Sequence, residues 1–582
     1  MLKKLKGIFV LAAVAYSCAI NAAEDELQVI TLEKPKAVIM GEVSENKIRL
    51  NVLANPASEP TFGVLQYGPL EEEWEDTIVF PLPRSQHFSE AVDIKDLIPG
   101  CQYEYRIGTF HIPDNSLLSR ITFAWEEEED GKPKYDHALF QAYENMVGKR
   151  DVAFLFGSCQ YDGPLLDKLE KSPLGLLNLL MKSKCLRKIG FFSKLSKLPG
   201  FKKKLTDTKL GILVEMLVLA EKEGEFFRTD DSEIFKTVEK FSSCNNIALR
   251  GFIDMGDTYY RDWLNKYAGA KGTEEIYELL CDALTAEGRY EFQKTMPTYV
   301  QIDDHAVKDN FTKKDLEGEN YNSLTNACWT LADILQRQMS TYDPISGHIG
   351  YRWTETRLWG LPVFIGDFRS EMMPGVEKIS KAQMAALKNF LLMWGDHPKV
   401  IVSQVPIGPD DKSGDGSDKW GDEGYQSSRN DILNTLYTHK IKNTFWLGGD
   451  IHSGLFADIV HTKKEKPEAQ DKLWKFPRIT DAKESDVNMK RVLLAQAVAS
   501  PFNWPIQFES MILDPYKPLG TSDKGSFCIV NQSSLVKQNH AGIFKLSATG
   551  DTVEITLLGN NPDNKAGEVA LRKIYHLAPY QH

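Results

Sequence analysis

Six short apolar runs punctuate the chain, and five of them close on acid, cysteine, tyrosine or histidine. Asp151–Gly157 leads into Ser158-Cys159-Gln160, and Ile247–Asp254 into Gly256-Asp257-Thr258-Tyr259-Tyr260. Thr298–Ile302 leads into Asp303-Asp304-His305 and then Asp309-Asn310. Leu361–Gly366 leads into Asp367-Phe368-Arg369, and Asn443–Gly448 into Gly449-Asp450-Ile451-His452. The sixth run, Val400–Gln404, meets Val405-Pro406 and offers no ligand-type residue. Continuous apolar runs of this length predict strands buried in a layered α/β protein. Ligands of such sheets gather at the loops leaving the strands' carboxyl ends. Several strand ends can therefore converge on one metal site.

Other patterns fill in the organisation. Residues 28–115 read as a small all-β module, with strands at Ala37–Met40, Lys47–Ala54 and Thr61–Tyr67. The turn Leu97–Gly100 followed by the alternating Cys101–Arg106 suits the last hairpin of a fibronectin-III-like sandwich. Glu126–Lys134 reads as an acidic surface loop leading to a core over 150–560. Helical periodicity marks Lys381–Trp394 and Ser427–Thr438, while Val492–Val498, Gly542–Leu546 and Thr552–Leu558 read as strands. Residues 561–582 are taken as a C-terminal tail.

A long helical insertion, 163–243, separates the first two cluster-bearing strands. From Ser172 to Leu205 it has no acidic residue, while nine lysines and arginines interleave with bulky apolar side chains. That mixture suits contact with an anionic phospholipid surface. The plainer reading, compatible with that one, is a solvated helical cap over the active site, with Thr208–Phe227 as the cap's second helix.

Composition narrows the class. A chain of 582 residues with a net charge of −12 is not built for general nucleic-acid binding. Lys3, Lys4 and Lys6 followed by apolar Ile8–Tyr16 and small Ala22-Ala23 predict a Sec-type export signal over 1–23, and so a periplasmic or secreted protein. Ala15-Tyr16-Ser17 before Cys18 is a poor lipobox, and a twin-arginine pair is absent. Removing the signal leaves seven cysteines, an odd count that implies an unpaired thiol, for which Cys159 is the candidate. The other six allow up to three disulfides.

The clusters carry distinct chemistry. Asp257 can bridge two cations, and Tyr260 can reach one of them as phenolate if that ion is strongly acidic. Cys159 as thiolate prefers a transition metal. Asp303, Asp304 and Asn310 offer oxygens suited to Ca²⁺ or Mg²⁺, or else cap a turn. Asp450 and His452 place an oxygen and an imidazole on one loop. Taken singly, each has an ordinary structural explanation; the order along the chain and the placement after strands join them.

These ordered motifs resemble the PhoD-like alkaline phosphatases, a branch of the calcineurin-like metallophosphoesterases, over roughly residues 30–560. The resemblance rests on Gly157–Gln160, Gly256–Tyr260, Asp303–Asn310, Gly366–Arg369, Gly449–His452 and the Pro99–Arg106 hairpin. It implies a two-sheet metallophosphatase-like α/β core flanked by helices. It implies Fe³⁺ held by Cys159, Asp257, Tyr260 and His452, and Ca²⁺ near Asp257, Asp303, Asn310 and Asp450. An oxygen nucleophile activated by the metals would attack phosphorus, Asp304 would handle a proton, and Arg369 would touch phosphate. Departures fall elsewhere: Ile302 stands where the family usually has Trp, Ala306 replaces a common acid, Gly366–Arg369 departs from Leu-Asp-Thr-Arg, and the basic insertion is atypical.

The expected activity is metal-dependent hydrolysis of phosphate monoesters or diesters outside the cytoplasm. A phospholipase D-like phosphodiesterase on a lipid substrate would share every ligand. A Ca²⁺-binding surface module without catalysis would leave Cys159 and Tyr260 without purpose as ligands.

Overall fold

The computed structural model describes residues 28–160, 233–408, 418–462, 479–502 and 519–580, apart from shorter stretches within these ranges. The export segment 1–23 and most of the insertion, including Ser172–Leu205 and Thr208–Phe227, lie outside the described residues. The chain divides into two compact units, Met1–Ile39 with Glu45–Tyr143, and Met40–Ser44 with Glu144–His582.

The first unit is built from strands. Thr61–Pro69 lies between Asp76–Pro81 and Gln102–His111, and Asp136–Gln141 extends the same antiparallel sheet. A second sheet contains the antiparallel pair Lys47–Leu53 and Ser89–Ile94. The expected boundary at residue 115 is therefore too early. Asp136–Gln141 buries alternate residues, and its backbone hydrogen bonds are completed by Gln102–His111.

The second unit holds two large sheets. One runs, in spatial order, Thr298–Val300, Leu249–Asp254, Val152–Gly157, His540–Leu546, Thr552–Gly559, Glu568–His576 and Glu484–Asn488. Its first three strands are parallel. The other runs Thr354–Leu358, Leu361–Ile365, Lys399–Val402, Thr444–Gly448, Leu494–Val498, Leu455–Thr462, Gly525–Val530 and Gly520–Ser522. There the second to fifth strands are parallel. Val152–Gly157, Leu361–Ile365, Lys399–Val402, Thr444–Gly448 and Leu494–Val498 are buried at every position. Such continuous burial is the reason they read as unbroken apolar runs.

The sheets meet through aromatic and ionic contacts. Phe445 lies edge-on to Phe544 and Tyr575, with ring centroids 5.4 and 5.3 Å apart. Lys573 Nζ donates to Asp458 Oδ2 at 2.7 Å, a buried ion pair across the layer. Helices complete the layers. Ser380 Oγ caps Lys381–Trp394 by accepting from Gln383 N at 3.2 Å. That helix packs Leu387, Phe390 and Leu391, spaced for one face, with Phe364, Ile401 and Trp446. Glu233–Cys244, the end of the expected insertion, places Ile234, Phe235 and Val238 with Phe252 and Phe502.

The stretch after residue 560 is corrected. Glu568–His576 is a sheet strand, paired antiparallel with Thr552–Gly559 and parallel with Glu484–Asn488. The six cysteines among the described residues (Cys101, Cys159, Cys244, Cys281, Cys328 and Cys528) are free thiols.

Candidate metal centre

The three parallel strands at the start of the first large sheet and the four in the second each deliver a polar residue from their carboxyl ends to one place, as the layout of an open α/β sheet directs. Cys159 follows Val152–Gly157, Asp257 follows Leu249–Asp254, and Asp303-Asp304 follow Thr298–Val300. From the other sheet come Arg369, Gln404, Asp450 with His452, and Ser500. The turns are sharp. Cys159, Asp257, Asp450 and His452 all have left-handed backbone, with φ of 60, 52, 67 and 50°. Non-glycine residues held there store strain that clusters at functional sites. Gly256 has φ +109°, and a Cβ on it would stand 2.5 Å from Asp303 Cβ, so the two loops approach too closely for a side chain.

Three ligand-type groups converge, and Asp257 belongs to all of them. Cys159, Asp257 and His452 form one; Asp257, Asp304 and His305 a second; Asp257, Asp303, Asp304 and Asp450 a third, each with donor atoms within 4.8 Å of one another. In the first, Cys159 Sγ lies 3.6 Å from Asp257 Oδ2. Tyr260 OH donates to Asp257 Oδ2 at 3.0 Å and is 3.1 Å from His452 Nε2. Thiol, carboxyl, phenol and imidazole thus share one pocket of contacts.

Residues outside the expected set hold these donors. Ser500 Oγ donates to Cys159 Sγ at 3.1 Å and accepts from His452 N at 3.1 Å. Ser158 Oγ accepts from Asp450 N at 3.1 Å. The run without a ligand supplies a brace: Gln404 Oε1 accepts from Phe368 N, and its Nε2 donates to Ile302 O, each at 3.1 Å. Arg289 and Asp254, 2.6 Å apart, fix the Asp257 loop from below, because Asp254 also accepts from Gly256 N and Thr258 Oγ1. His305 joins the site by its backbone N–H to Asp257 Oδ1 at 3.3 Å, with its Nδ1 2.9 Å from Asp262.

Two of the expected site residues bond within the chain. Asn310 is exposed, and its side-chain amide donates to Asp309 Oδ1 at 3.1 Å; what reaches the site is its backbone N–H, on Asp304 Oδ2 at 2.7 Å. The loop turns at Asn310, where φ is 54°. Arg369 is fully buried and holds carboxylates: its Nε bonds Asp303 Oδ1 at 2.5 Å and its Nη2 bonds Asp418 Oδ2 at 2.7 Å. Asp418 and Lys419 were not foreseen. Lys419 Nζ bonds Asp450 Oδ2 and lies 2.8 Å from Asp418 Oδ1. They follow a polar stretch without periodicity, so no sequence signal marks them.

The electrostatics describe a crowded acidic site. Burial, reinforced by Asp304 and Asp450 against the pull of His305, pushes Asp257 up to about 8. Burial and the nearby Asp257 also push the Cys159 thiol and the Tyr260 phenol upward. Burial raises Asp303 and Asp450 as well. Asp304 is held low despite burial, by Arg369 and His305. Asp303 Oδ2 and Asp304 Oδ1 are buried without a hydrogen-bond partner. Buried acids that resist ionisation and carboxylate oxygens left without a hydrogen bond are what a bound cation corrects. The donor set therefore fits a metal: Cys159, Asp257, Tyr260 and His452 for a transition ion, with the carboxylates of Asp303, Asp304 and Asp450 beside it.

Fold and site together define an α/β protein with a metal-type centre at its strand ends. The family model described as PhoD-like phosphatase matches residues 374–478, a stretch that holds Asp418, Lys419, Asp450 and His452. A solved structure described as "Structure of PhoD" matches with a TM-score of 0.56 and 11% identity, over 90% of this chain and 87% of that one. At that identity the likeness is one of fold. No curated protein matches. The resemblance to PhoD-like phosphatases read from the strand-end motifs is thus met by both a family model and a fold.

Proposed function

We propose that the chain is an exported metal-dependent hydrolase of phosphate monoesters or diesters. The observation that carries this reading is Asp257, common to three converging ligand groups, with Cys159, Tyr260 and His452 on one side and Asp303, Asp304 and Asp450 on the other. Fe³⁺ is the ion best matched to thiolate with phenolate. When bound, such an ion supplies Lewis acidity at a phosphoryl oxygen.

The chain's own residues do the rest. Asp257 Oδ2 and Tyr260 OH fix the carboxyl and phenol against each other. Asp304, kept anionic by Arg369 and His305, presents Oδ1 without a hydrogen bond, 3.6 Å from Arg369 Nη2, and keeps negative charge at the site. Arg369 spends Nε and Nη2 on Asp303 and Asp418, and its Nη1 has no partner. That N–H is the donor left for a phosphoryl oxygen, where a guanidinium offers charge-assisted bonding. The N-terminal β unit is read as fibronectin-III-like, and 172–205 as the segment suited to an anionic lipid surface.

The test compares turnover of p-nitrophenyl phosphate and bis(p-nitrophenyl) phosphate by the purified protein, metal-loaded and then chelated. Chelator-sensitive turnover that falls at least ~100-fold in Cys159→Ala and Asp257→Asn supports the reading. The preferred ester separates phosphatase from phosphodiesterase. Visible charge-transfer colour lost in Tyr260→Phe would place Fe³⁺ on the phenolate. Folded, metal-loaded protein that cleaves neither ester would sink it.

A further inference from the structure

The sequence motifs lead to a two-cation centre, yet the structure gives one of its carboxylates to a lysine. Lys419 Nζ bonds Asp450 Oδ2 and lies 2.8 Å from Asp418 Oδ1, with its side chain 9% exposed. Asp418 in turn accepts from Arg369, whose Nε occupies Asp303 Oδ1. Two cations of the chain are therefore woven through the acidic group.

Counting the oxygens shows what remains. Asp257 accepts from Tyr260 OH and His305 N, and Asp304 Oδ2 from Asn310 N. Asp303 Oδ1 is taken by Arg369 and Asp450 Oδ2 by Lys419. Asp303 Oδ2 and Asp304 Oδ1 lack hydrogen-bond partners, though Asp304 Oδ1 lies 3.6 Å from Arg369 Nη2, and Asp450 Oδ1 lies 4.0 Å from the same nitrogen. The Asn310 carboxamide, expected as another donor, faces Asp309. Calcium takes roughly six to eight oxygens, water included, and the carboxylates of this face supply only part of that set. A divalent ion that claimed Asp450 would also stand against the Lys419 ammonium, which has little solvent to retreat into.

We infer that Lys419 is a tethered cation that withholds Asp450 from a second metal ion. The centre then binds one metal tightly through Cys159, Asp257, Tyr260 and His452. A second, hard divalent ion beside it binds weakly and exchanges. The inference rests on the metal-centre reading above, but its test does not depend on ester hydrolysis.

The experiment uses the full-length protein loaded with Fe³⁺ and Ca²⁺ and then desalted. Elemental analysis reads the metals retained, and calorimetric titration with Ca²⁺ reads the affinity of wild type, Lys419→Met and Lys419→Arg. The expected result is a retained transition ion, Ca²⁺ lost on desalting, and Ca²⁺ binding at least about tenfold tighter in Lys419→Met, with Lys419→Arg staying weak. Wild-type protein that retains a full equivalent of Ca²⁺ overturns the inference, as does folded Lys419→Met with unchanged affinity. If Lys419→Met does not fold without Ca²⁺, the wild-type content alone decides. Failure to retain any transition ion would instead defeat the metal-centre reading, whatever Ca²⁺ does.

Discussion

Replacing Arg289 with methionine tests whether the Asp257 loop is fixed by a buried ion pair. Arg289 Nη2 is 2.6 Å from Asp254 Oδ2, and the side chains are 0% and 1% exposed. At an effective dielectric of ~20, the gross attraction at that distance is roughly 6 kcal/mol. Much of it offsets the desolvation of two charges. In Arg289→Met the Asp254 carboxylate keeps its burial and loses its partner, and Gln160 Oε1 loses the N–H it accepts at 2.8 Å. The expected destabilisation is about 3–5 kcal/mol. Because Asp254 also accepts from Gly256 N and Thr258 Oγ1, the same change should loosen the loop carrying Asp257 and lower metal retention. Urea unfolding followed by tryptophan fluorescence measures the first effect, and elemental analysis the second. The double variant Asp254→Asn with Arg289→Met removes both charges while leaving an amide oxygen as acceptor for the Asp257 loop, and should recover part of the loss. A loss below ~1 kcal/mol in the single variant, or a double variant no better than the single, would refute the reasoning.

Ser500→Ala removes a hydrogen bond to Cys159 Sγ and the acceptor of His452 N; metal affinity should fall roughly 10–100-fold, read by competition with a chelator, and an unchanged affinity would deny Ser500 a positioning role. Gly256→Ala forces a side chain onto φ +109° and against Asp303. It should cost more than Gly375→Ala, where φ is +73° and nothing lies within 4 Å; strain alone accounts for about 1–3 kcal/mol, and equal losses would contradict the close approach. Burial depresses His540 from 6.5 to about 4, against the opposing hydrogen bond to Gln538 O. Its neutral ring accepts from Ser500 N at 3.2 Å. Above pH ~6.5 the ring is neutral in both states. As pH falls from 6.5 towards 4 the unfolded chain takes up a proton that the folded one refuses, so roughly 3 kcal/mol of stability is lost across that window. His540→Gln should remove about one proton from the uptake on unfolding at pH 5; an unchanged pH slope would disprove the assignment.

The strands that build the centre were legible because they are buried on both faces, which leaves little but apolar residues over five or six positions. Val152–Gly157, Leu361–Ile365 and Thr444–Gly448 follow that rule. The residues just past their ends were legible for the same reason, since a strand end fixes where the next few side chains emerge. Glu568–His576 escaped notice because it carries Arg572 and Lys573. Lys573 is buried, and its charge is matched by Asp458, 115 residues earlier in the sequence. Asp136–Gln141 escaped because its exposed positions alternate with buried ones beyond the expected end of the module.

The sequence by itself determined the candidate ligand types and their order along the chain, because each sits next to a strand that local hydrophobicity specifies. Tertiary structure alone decided what surrounds them. Arg369 meets Asp303 across 66 residues, Ser158 meets Asp450 across 292, and Ser500 meets Cys159 across 341. It also turned the Asn310 carboxamide out and brought Lys419 in. The physical reason is that burying a charge or a hydroxyl is tolerable only beside a partner. Partners are chosen by how sheets and loops pack, which no local pattern of residues encodes.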